Sequence, residues 1–429
     1  MFKTFANAWK LTDLRKKILF TLLIIVLYRV GVAIPIPYLN PAMLGEIAKM
    51  AEGSLFQYLN ILSGNAFSQA TLFALGVSPY ITSSIVMQLL TIAIPALERL
   101  AKEGQDGQKV INKITRYVTV ALGLITAFGY YMLLRNQGML TDTGVFAAIV
   151  MIACYCAGSS LVMWLAERVN DHGIGNGISM ILLANIVSSL PAMVMSFWTN
   201  LVSGKISGII IAIVSLIIGL GMVVFVVFMN ESERRLPIQY AKKVVGRKMY
   251  GGQSSTLPLK LTMTGVMPII FANSIVTIPA TIALFFPTPE DGSFWAGFLG
   301  LFSSTSWVYA LLTFLLIIAF AYFYTAISFN PIEISNNLKK NGGFIPGIRP
   351  GKPTADYITK ILNRITLIGA IFLGIIAVVP MIANIIAQGN LGALAFSGNS
   401  IIIVVGVSLE TTREIESQLT SHHYKGFLE

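Results

Sequence analysis

Residues 208–229 read GIIIAIVSLIIGLGMVVFVVFM, a run without a single charge. At ~1.5 Å per residue, a helix of that length crosses the ~30 Å of hydrocarbon in a bilayer. Lipid offers no water to an unpaired N–H or C=O, so a helix is the conformation such a run adopts. Nine further stretches of the same kind surround it, at 18–34, 76–95, 117–134, 145–166, 174–195, 261–285, 307–329, 365–386 and 394–412. The expected fold class is an all-α membrane protein with ten transmembrane helices. Composition agrees: 55% of the 429 residues are hydrophobic and 11% charged, far too apolar for a soluble chain.

Basic residues set the expected orientation. Of 30 Lys and Arg, 26 lie on the N-terminal segment, the even-numbered loops and the C-terminal tail. The odd-numbered loops hold only Lys49, Arg135 and Lys205. The positive-inside rule then places both termini and the large loops at 230–260 and 330–364 in the cytoplasm. The net charge of +11 is largely topological and does not require nucleic acid. Arg15, Lys16 and Lys17 precede an apolar run ending in Ile34-Pro-Ile-Pro37 instead of a small-residue cleavage site, which reads as a retained first span. Cys154 and Cys156 fall inside the fourth span and read as small buried hydrophobes.

Two features mark the interior. Residues 53–75, GSLFQYLNILSGNAFSQATLFAL, space Leu55, Phe56, Leu59 and Leu62 like one face of a short helix, then break at Ser63-Gly64-Asn65. This segment is too short and polar to span. It either rests on the membrane surface as an amphipathic helix or sits in an internal cavity, where irregular backbone is tolerated. The spans are also poor in charge. None of the ten cores holds Asp or Glu, Glu410 falls at the cytoplasmic end of the last, and Arg29 reads as a snorkelling residue near the outer end of the first. Neutral polar groups occur instead: Thr82, Ser83, Ser84 and Gln88 in the second span, Asn185 in the fifth, Asn273 and Ser274 in the seventh. Each is ordinarily an interhelical hydrogen-bonding group, worth ~1 kcal/mol or less. With Gly76, Pro79, Gly265 and Pro268 on the same two spans, they also suit an interface that opens.

No enzyme signature is evident. His172, His422 and His423 match no metal spacing, no cofactor is implied, and Gly173-Ile-Gly-Asn-Gly177 lacks the preceding strand of a nucleotide loop and reads as a tight turn. Two cytoplasmic loops look built for docking. Residues 239–250 read as a β-hairpin with a basic tip, carrying Lys242, Lys243, Arg247 and Lys248. Residues 336–351 combine Lys339, Lys340 and Arg349 with stiffening proline and glycine. Basic loops of this size attract anionic lipids, RNA or acidic proteins.

The strings ALGVSPYITSSI (74–85), GIGNGIS (173–179), QYAK (239–242) and PGIRPG (346–351) resemble, in order, those of the bacterial SecY family of protein-conducting channels. The resemblance runs along essentially the whole chain. It implies two five-helix halves of inverted topology, about 1–195 and 196–429, around a central hourglass pore. It implies that residues 55–70 are a plug, including Leu55, Phe56, Leu59, Leu62 and Asn65. It implies a constriction ring of Val77, Ile81, Ile178, Leu182, Ile270 and Ile403, and a lateral gate between the second and seventh spans carrying Thr82, Ser83, Gln88, Asn273 and Ser274. An apolar ring resists ions by dewetting and fits an extended chain of any sequence. The implied activity is passive conduction of unfolded secretory proteins across the bacterial plasma membrane, with lateral release of membrane segments into lipid. The implied partners are SecE-type and SecG-type subunits, the SecA motor ATPase, the ribosome with its rRNA, signal sequences and nascent polypeptides. A small-solute secondary transporter with inverted repeats is the rival reading, and the lack of internal carboxylates counts against it.

Overall fold

The computed structural model describes residues 8–40, 56–202, 206–240, 243–245, 248–250, 254–262, 265–286, 293–303, 306–386 and 398–425. Its helices are α1 (Thr12–Val32), α2 (Gln57–Ser63), α3 (Ser78–Ala93), α4 (Pro95–Lys102), α5 (Gln105–Asn136), α6 (Val145–His172), α7 (Gly177–Val202) and α8 (Ile206–Glu231). They continue with α9 (Met267–Val276), α10 (Ile278–Ala283), α11 (Phe294–Leu301), α12 (Trp307–Ser328), α13 (Pro331–Lys340), α14 (Lys352–Ile386) and α15 (Gly398–Lys425). Each of the ten apolar stretches falls on a helix. Among the described residues, five helices are long and apolar enough to cross a membrane unaided: α5, α6, α7, α12 with its continuation into α13, and α14.

Proline explains two departures from straight spans. Pro95 lacks the N–H that would continue α3, and the chain turns by 100° into α4. Pro279 breaks the seventh span at Thr277 into α9 and α10 for the same reason.

Loop 230–260 is more ordered than its sequence suggests. β1 (Glu233–Tyr240) pairs antiparallel with β4 (Ser254–Lys260), in a register running from Glu233↔Lys260 to Gln239↔Ser254. Further out, β2 (Lys243–Val245) and β3 (Lys248–Tyr250) pair as the expected hairpin. β5 (Gly343–Phe344) adds to the other edge of β1, giving the order β4-β1-β5 and joining the two large loops in one sheet. Alternation along β1 buries Leu236 and Ile238 while neighbouring residues stay exposed. Leu236 and Leu259 share a cluster with Ile345 and with Ile358, Leu362 and Ile365 of α14. The sheet is thereby fixed to the end of a long apolar helix.

Candidate functional site

Four elements contribute the six ring candidates. Val77 caps α3, Ile81 follows one turn later, Ile178 and Leu182 open α7, and Ile270 and Ile403 come from α9 and α15. Val77, Ile81, Leu182, Ile270 and Ile403 are each no more than 3% exposed, and Ile178 packs against them in the same cluster. The first turn of α7 is set by the glycine-rich string. Asn176 Oδ1 accepts from the N–H of Ile178 at 3.0 Å and of Ser179 at 3.4 Å, and Asn170 Oδ1 accepts from Gly177 N–H at 2.7 Å. Gly175 turns at φ +78°, and at Gly177 the Ala166 carbonyl leaves no room for a Cβ. The string is a tight turn, as its sequence indicates, and it places two apolar residues one turn apart on one face.

The 56–75 segment lies inside the protein, and the surface-helix alternative does not hold. α2 ends at Gly64 with φ +65°, and Asn65 follows at φ +71°. Asn60 Oδ1 accepts from Ser68 N–H at 3.0 Å, and Ser63 Oγ accepts from Phe67 N–H at 3.0 Å, folding the segment on itself. Its apolar residues divide between two clusters. Leu62 and Ala66 join the cluster of the ring candidates. Phe56, Leu59, Phe67 and Ala70 join a second one with Tyr130, Met151 and Tyr155. Leu55 lies outside the described residues, as do Lys242 and Arg247.

At the expected gate, α3 packs on α9, but the polar residues do not pair across the seam. Ser83 is fully buried and donates to the Thr115 carbonyl of α5 at 2.9 Å, away from α9. Asn273 Oδ1 accepts from Asn399 Nδ2 of α15 at 3.2 Å, so this side chain ties α9 to the last helix. Thr82 and Ser274 each donate to a carbonyl of their own helix, Ser78 at 3.1 Å and Ile270 at 2.8 Å. Gln88 is half-buried. Apolar Ile85, Leu89, Phe271 and Ile275 of the two helices belong to the central cluster.

Toward the loops, a cavity of about 440 Å³ begins beside the ring candidates at Ser179 and Val266, and Asn230, Lys260, Thr262, Glu410 and Arg413 also line it. Arg413 donates to the Asn230 carbonyl at 3.1 Å and faces Glu231 at 3.6 Å. Burial, and then the Arg413 charge, hold the Lys260 ammonium below its usual range. Sequence reasoning missed this rim. Its only signal is Glu410, Arg413 and Glu414 at helical spacing on α15. Beyond it, α13 presents exposed Lys339 and Lys340, and Arg349 is exposed on a turn held by Ser335 Oγ donating to the Gly351 carbonyl at 2.7 Å. Lys243 and Lys248 stand on β2 and β3.

The SecY family model matches residues 71–412. This chain belongs to the SecY family. A protein translocase subunit SecY from Streptomyces galbus is 45% identical over 443 residues, covering all of both chains. Its counterpart from Mycobacterium tuberculosis is 42% identical over 446 residues, again at full coverage. Among solved structures, that of a protein-conducting channel superposes with a TM-score of 0.65 at 16% identity, covering 94% of this chain and 92% of the other. A structure concerning the SecY plug domain, and its stabilisation of the closed channel, superposes at 0.64 and 18% identity over the same shares. Sec61 in the canine ribosome–channel complex does so at 0.61 and 16%. At these identities the structures establish the fold. With its apolar helices, the SecY-family chain is a multi-pass membrane protein.

Two residues of this SecY-family chain, Arg29 and Asn185, do more than their sequence reading allows, and Tyr28, which the sequence did not single out, joins them. Arg29 does not snorkel. Its guanidinium turns inward, donating to the carbonyls of Ala184 at 2.6 Å and Gly64 at 3.4 Å. Asn185 is buried and donates to the Leu62 carbonyl at 2.5 Å and to Tyr28 Oη at 3.0 Å. Tyr28 Oη donates in turn to the Ser63 carbonyl at 3.5 Å. All three act on the segment that follows Phe56.

Proposed function

We propose that this chain is the pore-forming subunit of a protein translocase, conducting unfolded polypeptides across the bacterial plasma membrane and releasing apolar segments sideways into lipid. The observation that carries this reading is the convergence of six apolar residues from four elements beneath a folded, buried 56–75 segment. A constriction of that chemistry offers no fixed binding site, so it favours no particular side chain and resists hydrated ions by dewetting. Residues 55–70 act as the plug, and the seam between α3 and α9 as the lateral gate. Ser83 and Asn273 steady the two gate helices against their other neighbours.

The halves 1–195 and 196–429 are the two moving bodies, with both termini and the 230–260 and 330–364 loops in the cytoplasm. Lys243, Lys248, Lys339, Lys340 and Arg349, with Lys242 and Arg247, form a basic face for a SecA-type motor, the ribosome and its rRNA, and anionic lipid. SecE-type and SecG-type subunits complete the complex. The chain acts as a conduit, with energy supplied by the docked partner. No specific observation favours the solute-transporter reading, whose midplane polar site would have to replace the apolar ring.

Photocrosslinking to a secretory precursor stalled in mid-transfer tests the reading. Probes at Ile81, Ile270 and Ile403 should crosslink, while one at Ile213, 49% exposed on α8, should not. An engaged precursor that reaches none of the three ring positions takes another path, and the reading is then wrong.

A further inference from the structure

At the end of α2, as at every helix C-terminus, main-chain N–H groups reach only some of the carbonyls: Gly64 donates to Ile61 at 3.1 Å and Ala66 to Ser63 at 3.4 Å. Here three consecutive carbonyls are each met by a different side chain. Leu62 accepts from Asn185 at 2.5 Å, Ser63 from Tyr28 at 3.5 Å and Gly64 from Arg29 at 3.4 Å. The donors come from α1 and α7, helices far apart in sequence, and they are themselves joined, since Asn185 also donates to Tyr28 Oη at 3.0 Å. Arg29 further spans to the Ala184 carbonyl at 2.6 Å, which pins its guanidinium between α7 and the plug. Gly64 supplies the fit: its φ is +65°, and a Cβ there would lie 2.6 Å from Asn185 Oδ1. Phe73 closes the back of the site, stacking on Tyr28 at 5.4 Å and filling the space over Gly31.

We infer that Tyr28, Arg29 and Asn185 form a latch that holds the plug by its backbone and sets the threshold at which the pore opens. This inference rests on the translocase reading. The physical reason is asymmetric cost. Moving the plug takes one acceptor from each of the three side chains and strips the Leu62 and Gly64 carbonyls of their side-chain donors, and an unmet buried group is expensive. Because the acceptors are main-chain oxygens, the latch reads the plug's conformation and is indifferent to most of its side chains.

Resting ion conductance of the reconstituted translocase complex, with no precursor present, tests the latch. Asn185→Ala and Arg29→Gln should each raise the open fraction roughly tenfold, the equivalent of one lost hydrogen bond to a buried or charged group. Arg29→Lys, which keeps a cationic donor, should raise it less than Arg29→Gln. Tyr28→Phe removes only the hydroxyl and should raise it about threefold, so it serves where a larger change abolishes folding. Precursor transport separates release from damage: a released plug leaks and still transports, whereas a misfolded channel does not transport. Deleting residues 58–66 gives the upper limit. If that deletion leaks while Asn185→Ala, Arg29→Gln and Tyr28→Phe all stay at the parent level, the latch is wrong and the pore reading survives. If the deletion itself does not leak, the 58–66 segment does not seal the pore and the latch fails with that role, while the pore reading stands or falls on crosslinking at Ile81, Ile270 and Ile403.

Discussion

In the proposed translocase, the ring and the plug close one passage by opposite chemistry. At the ring, Val77, Ile81, Leu182, Ile270 and Ile403 meet through side chains that carry no polar atom. Contacts of that kind are non-directional, each buried side chain contributing about 1.5–3 kcal/mol, and they reform around whatever apolar or extended object is inserted. The plug is held by directional bonds instead. Tyr130 Oη donates to the Phe67 carbonyl at 2.6 Å, Tyr155 Oη to the Ala70 carbonyl at 3.5 Å, and Asn185 Nδ2 to the Leu62 carbonyl at 2.5 Å. Directional bonds require one seated geometry and are lost together when it is left. A seal that must stretch is built of aliphatic contacts, and one that must be either seated or gone is built of hydrogen bonds.

Three measurements of resting ion conductance sharpen or break this contrast. The largest effect is expected from deleting residues 58–66, which removes every directional contact of α2 and leaves the ring alone. Conductance should rise more than tenfold, since the roughly 1.4 kcal/mol equivalent to that factor is less than the summed worth of the bonds removed. No rise would mean that the ring seals without help. A smaller effect is expected from Gly64→Val. A β-branched residue at φ +65°, with its Cβ 2.6 Å from Asn185 Oδ1, strains the seated plug. The cost is about 1–3 kcal/mol, so conductance should rise at least about fivefold, short of the rise on deletion, while transport persists. A parent-like channel would show that the plug tolerates a shifted seat. The smallest effect is expected from Ile81→Ser with the plug in place, about twofold, because the plug still blocks the ion path. In the 58–66 deletion background the same change should add a further severalfold increase, as a hydroxyl wets the constriction. Equal increments in both backgrounds would mean that ring and plug do not act in series.

The apolar stretches were legible as helical because lipid leaves such a run few alternatives, and the seventh, 261–285, falls on two helices, α9 and α10, where Pro279 breaks it. The turn at Gly173–Gly177 and the β2–β3 hairpin were legible for local reasons, glycine at positive φ and paired valines around a glycine. The pairing of β1 with β4 was not read, although Leu236 and Ile238 alternate with polar neighbours, because two prolines and four charges obscure the pattern. The ring candidates came from resemblance. Nothing in the spacing of Ile270 or Ile403 separates a pore-facing isoleucine from a lipid-facing one.

Polar side chains were the least legible. Arg29 near a helix end has an ordinary explanation at the lipid interface, and only the positions of the Ala184 and Gly64 carbonyls, both distant in sequence, turn it inward. Asn273 was expected to face α3 and instead meets Asn399, one hundred and twenty-six residues away. Ser83 was expected at the gate and bonds Thr115 on α5.

Hydropathy, charge asymmetry and turn residues by themselves determined that this protein lives in a membrane, which stretches of it are helical, and which loops are basic. Those properties are sums over neighbours in sequence, read by a solvent that is the same everywhere along the chain. Tertiary structure alone decided which isoleucines share a cluster, which carbonyls accept from Asn185 and Arg29, and that the 56–75 segment lies inside. A hydrogen bond depends on where its partner is, and these partners are brought together by packing between helices that sequence spacing does not relate.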